Sequence, residues 1–276
     1  MARAPARLRA PAPGGRRGLA ATRLGGLALC FTAHVQLPLG EQLAWTPAAH
    51  PQREPLHGNR VLLRPVDPDA DAQPLYEISH APHGDPLIWT YLPDGPYESP
   101  EQLREMLRWA ASAPEAVYFT IAPLPDERPL GLAAFLNVQP EHGVIEIGHV
   151  WFGTALKRTA AATEAIYLLA RHAFDELRYR RLEWKCNSLN AASRSAAERF
   201  GFSFEGVFRN HLVVKGRNRD TAWYSITDGE WPARRRAFEA WLAPENFDAS
   251  GRQVRPLSQL RSSLAGRDEL PAQGGS

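Results

Sequence analysis

From residue 59 to residue 231, the spacing of apolar and polar positions alternates between a period of two and a period of 3.6. A period of two predicts strands, because successive strand side chains point to opposite faces, and a period of 3.6 predicts helices. Strand patterns occupy residues 59–66, 117–124, 130–138, 144–152, 181–187, 204–214 and 222–227. Helical patterns occupy residues 69–79, a segment that opens at Ser99, residues 159–177 and residues 190–200. We therefore predict one α/β (α+β) domain with a mixed central sheet of about seven strands and about four helices.

The segment 187–202, Asn-Ser-Leu-Asn-Ala-Ala-Ser-Arg-Ser-Ala-Ala-Glu-Arg-Phe-Gly-Phe, carries the strongest local signal. Asn190 is a favourable N-cap, the alanine-rich run after it has high helix propensity, and Gly201 suits the left-handed residue that ends a helix. Polar side chains therefore collect at a helix N-terminus, directly after a strand. This arrangement predicts a site for a small ligand.

Charge distinguishes the first part of the chain from the rest. Residues 1–58 carry seven arginines and two acidic residues, a net charge of +5, so the other 218 residues must carry −3 to give the overall +2. The domain is therefore not a polyanion binder by composition, and we expect no nucleic-acid partner. We divide the chain into a basic Ala/Pro/Arg-rich extension that is expected to be disordered (1–58), the domain (59–231), and a short helix near 233–242 with a disordered tail (232–276).

The apolar run 24–35 follows six arginines and has the outline of an export signal. Twelve residues are too few to span a bilayer, and no convincing small-x-small cleavage site follows. We favour a dispensable extension over a working signal; a mature protein that begins near residue 36–50 outside the cytoplasm would contradict this interpretation. Cys30 and Cys186 form neither a disulfide framework nor a CxxC metal pair. We therefore expect a cytoplasmic protein with no metal and no membrane partner.

Together with the preceding Arg-Leu-Glu-Trp-Lys-Cys (181–186) and the following Glu205-Gly206, the segment 187–202 resembles the second half of the GNAT acetyltransferase domain. The resemblance is to the branch that includes the ribosomal-protein N-terminal acetyltransferases. The predicted element order is also that of the GNAT fold, and the resemblance covers residues 59–231. It implies a sheet that is splayed between its fourth and fifth strands, with acetyl-CoA bound there as acyl donor.

In GNAT proteins the long central helix presents its N-terminal amides to the pyrophosphate of coenzyme A, after a loop that usually contains two glycines. The corresponding run is Ala-Leu-Lys-Arg-Thr-Ala-Ala-Ala-Thr-Glu-Ala (155–165), in which Arg158 and Ala160 stand at the glycine positions. Ala160 still permits close approach to a phosphate, and Lys157 and Arg158 add charge. The alternative is an ordinary helix start with solvated basic residues.

The resemblance implies a donor site made of several groups. Asn190 bonds the pantetheine arm, and a backbone amide near Val150 or Trp151 stabilises the oxyanion. The full set of expected donor-binding residues is Val150, Trp151, Lys157, Arg158, Thr159, Ala160, Ala161 and Asn190.

The resemblance also implies an acid that returns a proton to the departing thiolate. Ribosomal-protein-type enzymes place a serine where this chain has Ser193, and many other GNAT proteins place a tyrosine where it has Ala197. We therefore expect Ser193 to be the acid, the alternative being a second cap or a packing serine. An acyl-cysteine route through Cys186 is disfavoured, because no histidine is matched to it.

The general base stays open at this stage. Glu146 is the leading candidate, followed by His149, His211 and Asp220. Strand alternation places Glu146 and His149 on opposite faces unless a bulge intervenes, so alternation alone lets only one of them face the site. The ribosomal type places its glutamate base where this chain has Leu212, next to His211.

We therefore predict an N-acetyltransferase that uses acetyl-CoA and a primary amine in a direct, ternary-complex reaction. The acceptor is either a protein N-terminus or a small-molecule amine, and a homodimer stays open. Trp89, Tyr91 and Tyr97 either line the acceptor pocket or belong to the core, and the charged loop 217–221 either steers an acidic substrate or is solvated. The alternative function is a non-catalytic acyl-CoA-binding or regulatory GNAT domain, because the two loop glycines are missing.

Overall fold

The computed structural model describes residues 37–268, and a compact unit begins at Trp45. The strands are β1 (Leu56–His57), β2 (Val61–Pro65), β3 (Val117–Pro123), β4 (Gly131–Gln139), β5 (Val144–Phe152), β6 (Arg181–Asn187), β7 (Ser203–Val214) and β8 (Arg217–Thr227). The helices are α1 (Pro68–Ser79), α2 (Pro100–Ser112), α3 (Ala160–Arg171), α4 (Ala191–Phe200), α5 (Trp231–Leu242) and α6 (Leu257–Asp268). A π-helical turn, His172–Glu176, extends α3. The arginine-rich start and the apolar run 24–35 lie outside the described residues.

All eight strands form one sheet in the order β1-β2-β3-β4-β5-β6-β8-β7. Every neighbouring pair is antiparallel except β5 and β6, which are parallel. The predicted mixed α/β sheet is confirmed, with eight strands rather than seven because β1 adds a short edge strand beside β2. Within residues 37–268, no helix has the length and apolar character needed to cross a bilayer.

Two hydrophobic clusters lie on opposite faces of the sheet. Alternate residues of β3 divide between them: Tyr118 packs with Leu75 of α1 and Leu107 of α2, whereas Phe119 packs with Ile166 of α3. This division follows from strand geometry, since successive side chains point to opposite faces. The sheet is therefore a middle layer that carries helices on both sides.

Both ends of the ordered unit extend further than composition predicts. Before residue 59, the Trp45 indole donates to the Glu141 carbonyl at 2.8 Å, and the Ala48 N–H donates to the Pro140 carbonyl at 3.1 Å. Beyond residue 242, the expected disordered tail contains α6, because Leu257 and Leu260 are buried in the larger cluster. Apolar burial by widely spaced residues orders these segments despite their polar, Pro-rich composition.

The β7–β8 hairpin is tighter than the pattern predicts. Residues 215–220 have a loop composition, yet only Lys215 and Gly216 form the turn, with φ values of +49° and +70°. Positive φ at both central residues is typical of a two-residue hairpin turn, whose twist matches that of the flanking strands. Strand β8 therefore begins at Arg217 rather than at Ala222, and Arg219 is a strand residue paired with Leu212 of β7.

Glu164 of α3 fixes the turn between β1 and β2. Its buried carboxylate accepts the N–H groups of Asn59 at 3.0 Å and Arg60 at 2.6 Å. A Cβ atom at Gly58 would lie 2.7 Å from the same carboxylate, so this close approach requires glycine. Helix α3 thus anchors the edge of the sheet, because its Glu164 carboxylate accepts hydrogen bonds from two backbone N–H groups of the turn.

Substitution Glu164→Ala is expected to lower the free energy of unfolding by about 1 to 3 kcal/mol, because two partly buried N–H groups lose their acceptor. Urea denaturation of both proteins measures the difference. Glu115→Ala removes an exposed carboxylate and should change stability by less than about 0.5 kcal/mol. Equal effects of the two substitutions would contradict the anchoring role of Glu164.

Candidate active site

Strands β5 and β6 pair at only three positions, from Val144 opposite Arg181 to Glu146 opposite Glu183. Beyond Glu146 they diverge, and α3 begins after the C-terminal end of β5. The predicted splay between the fourth and fifth predicted strands is thereby confirmed, since β1 shifts the count by one. Backbone groups on the open side of β5 face the gap instead of a neighbouring strand.

A bulge in β5 lies at His149. Leu132 of β4 pairs with Trp151 of β5, and Ala134 pairs with Gly148. A step of two residues along β4 therefore corresponds to a step of three residues along β5. His149 takes up the extra residue in a left-handed conformation, with φ +50°. Because the bulge interrupts the alternation, Glu146 and His149 both line the cleft, where alternation alone allows one.

The gap opens into a cleft of about 170 Å³. Its walls are the diverging parts of β5 and β6, the first turn of α4 and the segment 88–93. Of the aromatic residues expected near an acceptor, Tyr91 lines the cleft, whereas Trp89 is 1% exposed and belongs to the core. Strand ends and a helix N-terminus therefore meet at one concave surface.

Ser193 lies in the first turn of α4, with its hydroxyl oriented by a tryptophan of β6. Asn190 is the N-cap, as predicted, and its side-chain oxygen accepts the Ser193 N–H at 3.0 Å. Trp184 Nε1 donates to Ser193 Oγ at 3.0 Å, and all three residues line the cleft. Since the indole uses a lone pair of the oxygen, the hydroxyl proton stays available for donation.

Cys186 is a neutral neighbour of Ser193. Burial raises the pKa of the Cys186 thiol, and a hydrogen bond with Ser193 opposes that rise. The thiolate is the nucleophilic form of cysteine, so a buried thiol with a raised pKa is a poor nucleophile. This environment argues against an acyl-cysteine route.

Glu146 lines the cleft as a buried, ion-paired carboxylate. Lys185 Nζ lies 3.0 Å from Glu146 and 2.7 Å from Glu183, and the Asn137 amide also donates to Glu146. Burial raises the pKa of Glu146, while Lys185 and Asn137 oppose that rise. The same oxygen, Oε2, receives both donors, so Glu146 ties β4, β5 and β6 together where the split begins.

His149 faces Asp94, which follows the 3₁₀ turn Pro86–Thr90. His149 Nε2 lies 3.8 Å from Asp94 Oδ1, and both atoms are buried with no hydrogen-bond partner among residues 37–268. Burial lowers the pKa of His149 and the Asp94 carboxylate raises it, with a net decrease from 6.5. The imidazole is therefore neutral at pH 7.

His211 lies on the exposed edge strand β7, outside the lining of the cleft. Its Nδ1 is 3.0 Å from Thr221 Oγ1, and its ring packs 5.5 Å from the Phe208 ring. Asp220 is also engaged locally, because it accepts the Asn210 N–H at 2.7 Å. The fold does not bring either residue to Ser193.

The start of α3 keeps the backbone form that a glycine loop would supply. Arg158 is left-handed, with φ +64°, a conformation that glycine adopts readily and other residues rarely. Thr159 caps the helix by accepting the Ala162 N–H at 3.1 Å. Ala160 and Ala161 form the first turn, whose N–H groups have no acceptor within the helix. These amides lie at the open end of the split.

The charge at this helix start is partly engaged. Lys157 Nζ lies 2.6 Å from a carboxylate oxygen of Asp85, and that hydrogen bond lowers the pKa of Asp85. Arg158 is exposed at the same end. The bulged strand supplies the other expected group. Val150 lines the cleft, whereas the Trp151 side chain is 4% exposed, lies outside the cleft lining and packs 5.5 Å from the Trp89 ring.

Trp184 and Arg219 line the cleft, Asp94 lies next to it, and the sequence assigned no catalytic role to any of them. Trp184 looks like a core strand residue, and Asp94 lies in an Asp-Gly-Pro stretch that is typical of a turn. Arg219 lies in a polar run that suggests solvent, yet it lines the cleft, and its Nε is buried with no partner in the described part of the chain. Pairing and packing between elements that are distant in sequence decide where these side chains lie.

A mixed sheet that splits at its parallel pair, above a cleft with a helix N-terminus at its end, defines an acyltransferase fold. The chain belongs to the Acetyltransferase (GNAT) domain family, whose model matches residues 60–203.

Solved structures agree with this assignment. The chain is 41% identical to a GCN5-related N-acetyltransferase from Brucella melitensis, with a TM-score of 0.76, over 79% of this chain and 99% of that one. It is 39% identical to a probable acetyltransferase (GNAT family) from Chromobacterium violaceum, with a TM-score of 0.66, over 71% and 98% of the two chains.

A curated relative is also similar. "Putative ribosomal N-acetyltransferase YdaF" of Bacillus subtilis is 32% identical over 101 residues, which is 37% of this chain and 55% of that protein. The chain thus spans about half the length of this relative.

Proposed function

We propose that the protein transfers an acetyl group from acetyl-CoA to a primary amine by direct attack in a ternary complex. The observation that carries the proposal is the position of the Ser193 hydroxyl, which Trp184 holds at the edge of the β5–β6 split. A proton donor at that point lies beside the place where a thioester bound between the strands would break. We also propose that the protein acts in the cytoplasm.

The residues at the split fit a coenzyme A thioester. The unpaired backbone groups of β5 match the two amides of a pantetheine arm, which need hydrogen-bond partners when they leave water. The first-turn amides of Ala160 and Ala161, with the positive end of the helix dipole, suit a pyrophosphate. Arg158 adds positive charge, and Asn190 adds a side-chain amide at the other wall of the cleft. Among residues 37–268, no group of three or more His, Cys, Asp or Glu side chains could hold a metal ion.

In this proposal the chain supplies orientation and proton donation. A backbone amide at the bulge, near Val150 or Trp151, stabilises the developing oxyanion. Ser193 gives its proton to the departing sulfur, a role that Ala197, with no hydroxyl and no exposed surface, does not provide. Acetyl-CoA supplies the activated acyl group.

The acceptor is a primary amine, at a protein N-terminus or on a small molecule. Deprotonation at pH 7 costs about 1.4 kcal/mol for an α-amine with a pKa near 8, and about 4 to 5 kcal/mol for a lysine-like amine near 10.4. The α-amine therefore demands less of the enzyme. The ribosomal link in the name of YdaF supports a protein N-terminus, and we place it first.

A product screen tests the proposal. Full-length protein is incubated with acetyl-CoA and a panel of N-terminal peptides and small amines, and acetylated products are detected by mass spectrometry. We expect acetylation of at least one amine, and binding of acetyl-CoA at 100 times its Kd should stabilise the fold by about 2.7 kcal/mol. Binding without turnover would support the non-catalytic alternative, and absence of binding would contradict both functions.

A further inference from the structure

We propose that His149 is the general base of this transfer and that Asp94 is the residue that positions it. The inference rests on the proposed function and deepens it. His149 lies at the bulge of β5, on the lining of the same cleft as Ser193, and Asp94 lies behind it in the segment that follows the cleft wall 88–93.

Asp94 is placed to fix the tautomer of the His149 ring. Its Oδ1 lies 3.8 Å from His149 Nε2, and neither atom has another partner among the described residues. A small side-chain rotation closes this distance to a hydrogen bond, and catalytic hydrogen bonds are often long before substrate binds. An Nε2–H that points at a carboxylate leaves the lone pair on Nδ1.

The second nitrogen, Nδ1, is the one that the Asp94 carboxylate leaves for the acceptor. The buried polar atoms without a partner include Nε2 of His149 but not Nδ1, and no described side chain bonds Nδ1. His149 lines the cleft and its Nε2 is the nitrogen nearest Asp94, so we assign Nδ1 to the substrate side of the ring. A ring held by a carboxylate on one nitrogen and open on the other is the arrangement that general bases use.

The groups around the pair hold it in place. The Tyr97 hydroxyl donates to the other oxygen of Asp94, and the Tyr118 ring packs edge-on at 5.4 Å from the His149 ring. Burial raises the pKa of Tyr118 to about 12, and burial together with Asp94 also raises the pKa of Tyr97, so both stay protonated at neutral pH. Lys215 is the nearby cation: it donates to the Trp89 carbonyl at 2.8 Å, and burial lowers its pKa while Asp94 raises it.

The backbone at His149 points in the same direction. A left-handed conformation is unfavourable for a residue other than glycine and persists where the surrounding structure enforces it. Here it turns the imidazole toward the cleft. The rival bases are placed less well, because Glu146 is engaged by Lys185 and Asn137, and His211 lies outside the cleft lining.

The reaction then balances with the groups present. His149 Nδ1 takes one proton from the acceptor ammonium, and the amine nitrogen forms a bond to the thioester carbonyl carbon. The C–S bond breaks with its electron pair on sulfur, which takes the Ser193 proton. The second proton lost by the amine returns to Ser193, and His149 releases its proton to water. The products are the amide and the free thiol of coenzyme A.

The test compares pH profiles of His149→Gln and Asp94→Asn with that of the wild type, using the best amine from the product screen at saturation. Wild-type kcat should rise with pH as His149 loses its proton, with an apparent pKa below 6.5, and should then become constant. The reason is that the neutral imidazole is the active form. His149→Gln should lower kcat about 100-fold and lose that plateau, so that its rate keeps rising toward the pKa of the amine, near 8. Asp94→Asn should lower kcat about 10-fold or more, since the ring loses its anchor.

His142→Gln is the matched control, because His142 is an exposed histidine of the turn Pro140–His142 and should keep wild-type kinetics. Retained stabilisation by acetyl-CoA shows that a variant is folded and binds the donor. A wild type that acetylates amines while His149→Gln keeps its rate and plateau would overturn this inference and leave the proposed function intact. A wild type that acetylates no amine refutes the proposed function itself.

A second measurement does not depend on the catalytic activity of any variant. In full-length protein with ¹⁵N-labelled histidine, NMR should show His149 as the neutral Nε2–H tautomer at pH 7, with the assignment made by comparison with His149→Gln. In Asp94→Asn this preference should weaken. A protonated ring, or the Nδ1–H tautomer in the wild type, would overturn the assignment.

Discussion

Replacement of Ser193 by alanine is expected to lower kcat for acetyl transfer by about 10- to 100-fold while the Kd for acetyl-CoA stays within about twofold. The reason is that the hydroxyl acts on the sulfur only as the C–S bond breaks, so its loss raises the barrier without weakening ground-state binding. Steady-state kinetics at saturating donor, combined with direct titration of acetyl-CoA, separates the two effects. A thiol with a pKa near 8.5 can also leave as a thiolate without a proton donor, and this limits the decrease in kcat.

The chain offers two controls for this result. Ser195→Ala removes an exposed hydroxyl from the same helix and should be silent. Ser193→Thr keeps a hydroxyl beside Trp184 and should recover part of the rate. If Ser193→Ala keeps the wild-type kcat, or if Ser195→Ala is equally slow, Ser193 is a packing or capping residue and not the acid.

Substitution Lys185→Met is expected to reduce the free energy of unfolding by about 3 to 5 kcal/mol at pH 7, because it leaves the buried Glu146 carboxylate without its cation. Lys185 bridges Glu146 and Glu183, and the three side chains are 13%, 7% and 9% exposed. The deficit should shrink as pH falls. Burial already raises the folded-state pKa of Glu146, and loss of the cation raises it further. Protonation of Glu146 therefore relieves the folded variant at low pH, and the deficit grows as pH rises through that pKa.

Lys157→Met is the matched comparison, since it breaks an exposed ion pair of the same chemistry. Lys157 and Asp85 are 42% and 28% exposed, and such a pair contributes less than about 1 kcal/mol. Addition of Glu146→Gln to Lys185→Met should restore part of the stability. Denaturant unfolding at pH 5 and pH 7 measures all four proteins, and equal losses for the two lysines would contradict the buried bridge.

Local sequence signals identified most of the fold. The Asn190 cap, the Gly201 stop and the alternating strands each predict a structure that is formed within a few neighbouring residues. Apart from the earlier start of β8, each appears close to where the pattern places it. The resemblance of the segment 187–202 to one family also led to the splayed sheet. Segments stabilised by remote contacts were harder: β1 and α6 form because they pack on elements far away in the chain.

The cleft shows the same contrast in more detail. Asn190 and Ser193 could be placed from sequence, because cap and first turn are adjacent in the chain. The residues opposite them could not, because they come from three other elements.

By itself, then, the sequence determined the mixed sheet with its helices, the family, and the polar helix start that holds Asn190 and Ser193. The tertiary structure decided which titratable groups line the cleft. One extra residue in β5 brings His149 to the cleft beside Glu146, and long-range packing gives Glu146 a lysine and His149 an aspartate. Register and burial depend on partners distant in sequence, so the periodicity of a single strand does not contain them.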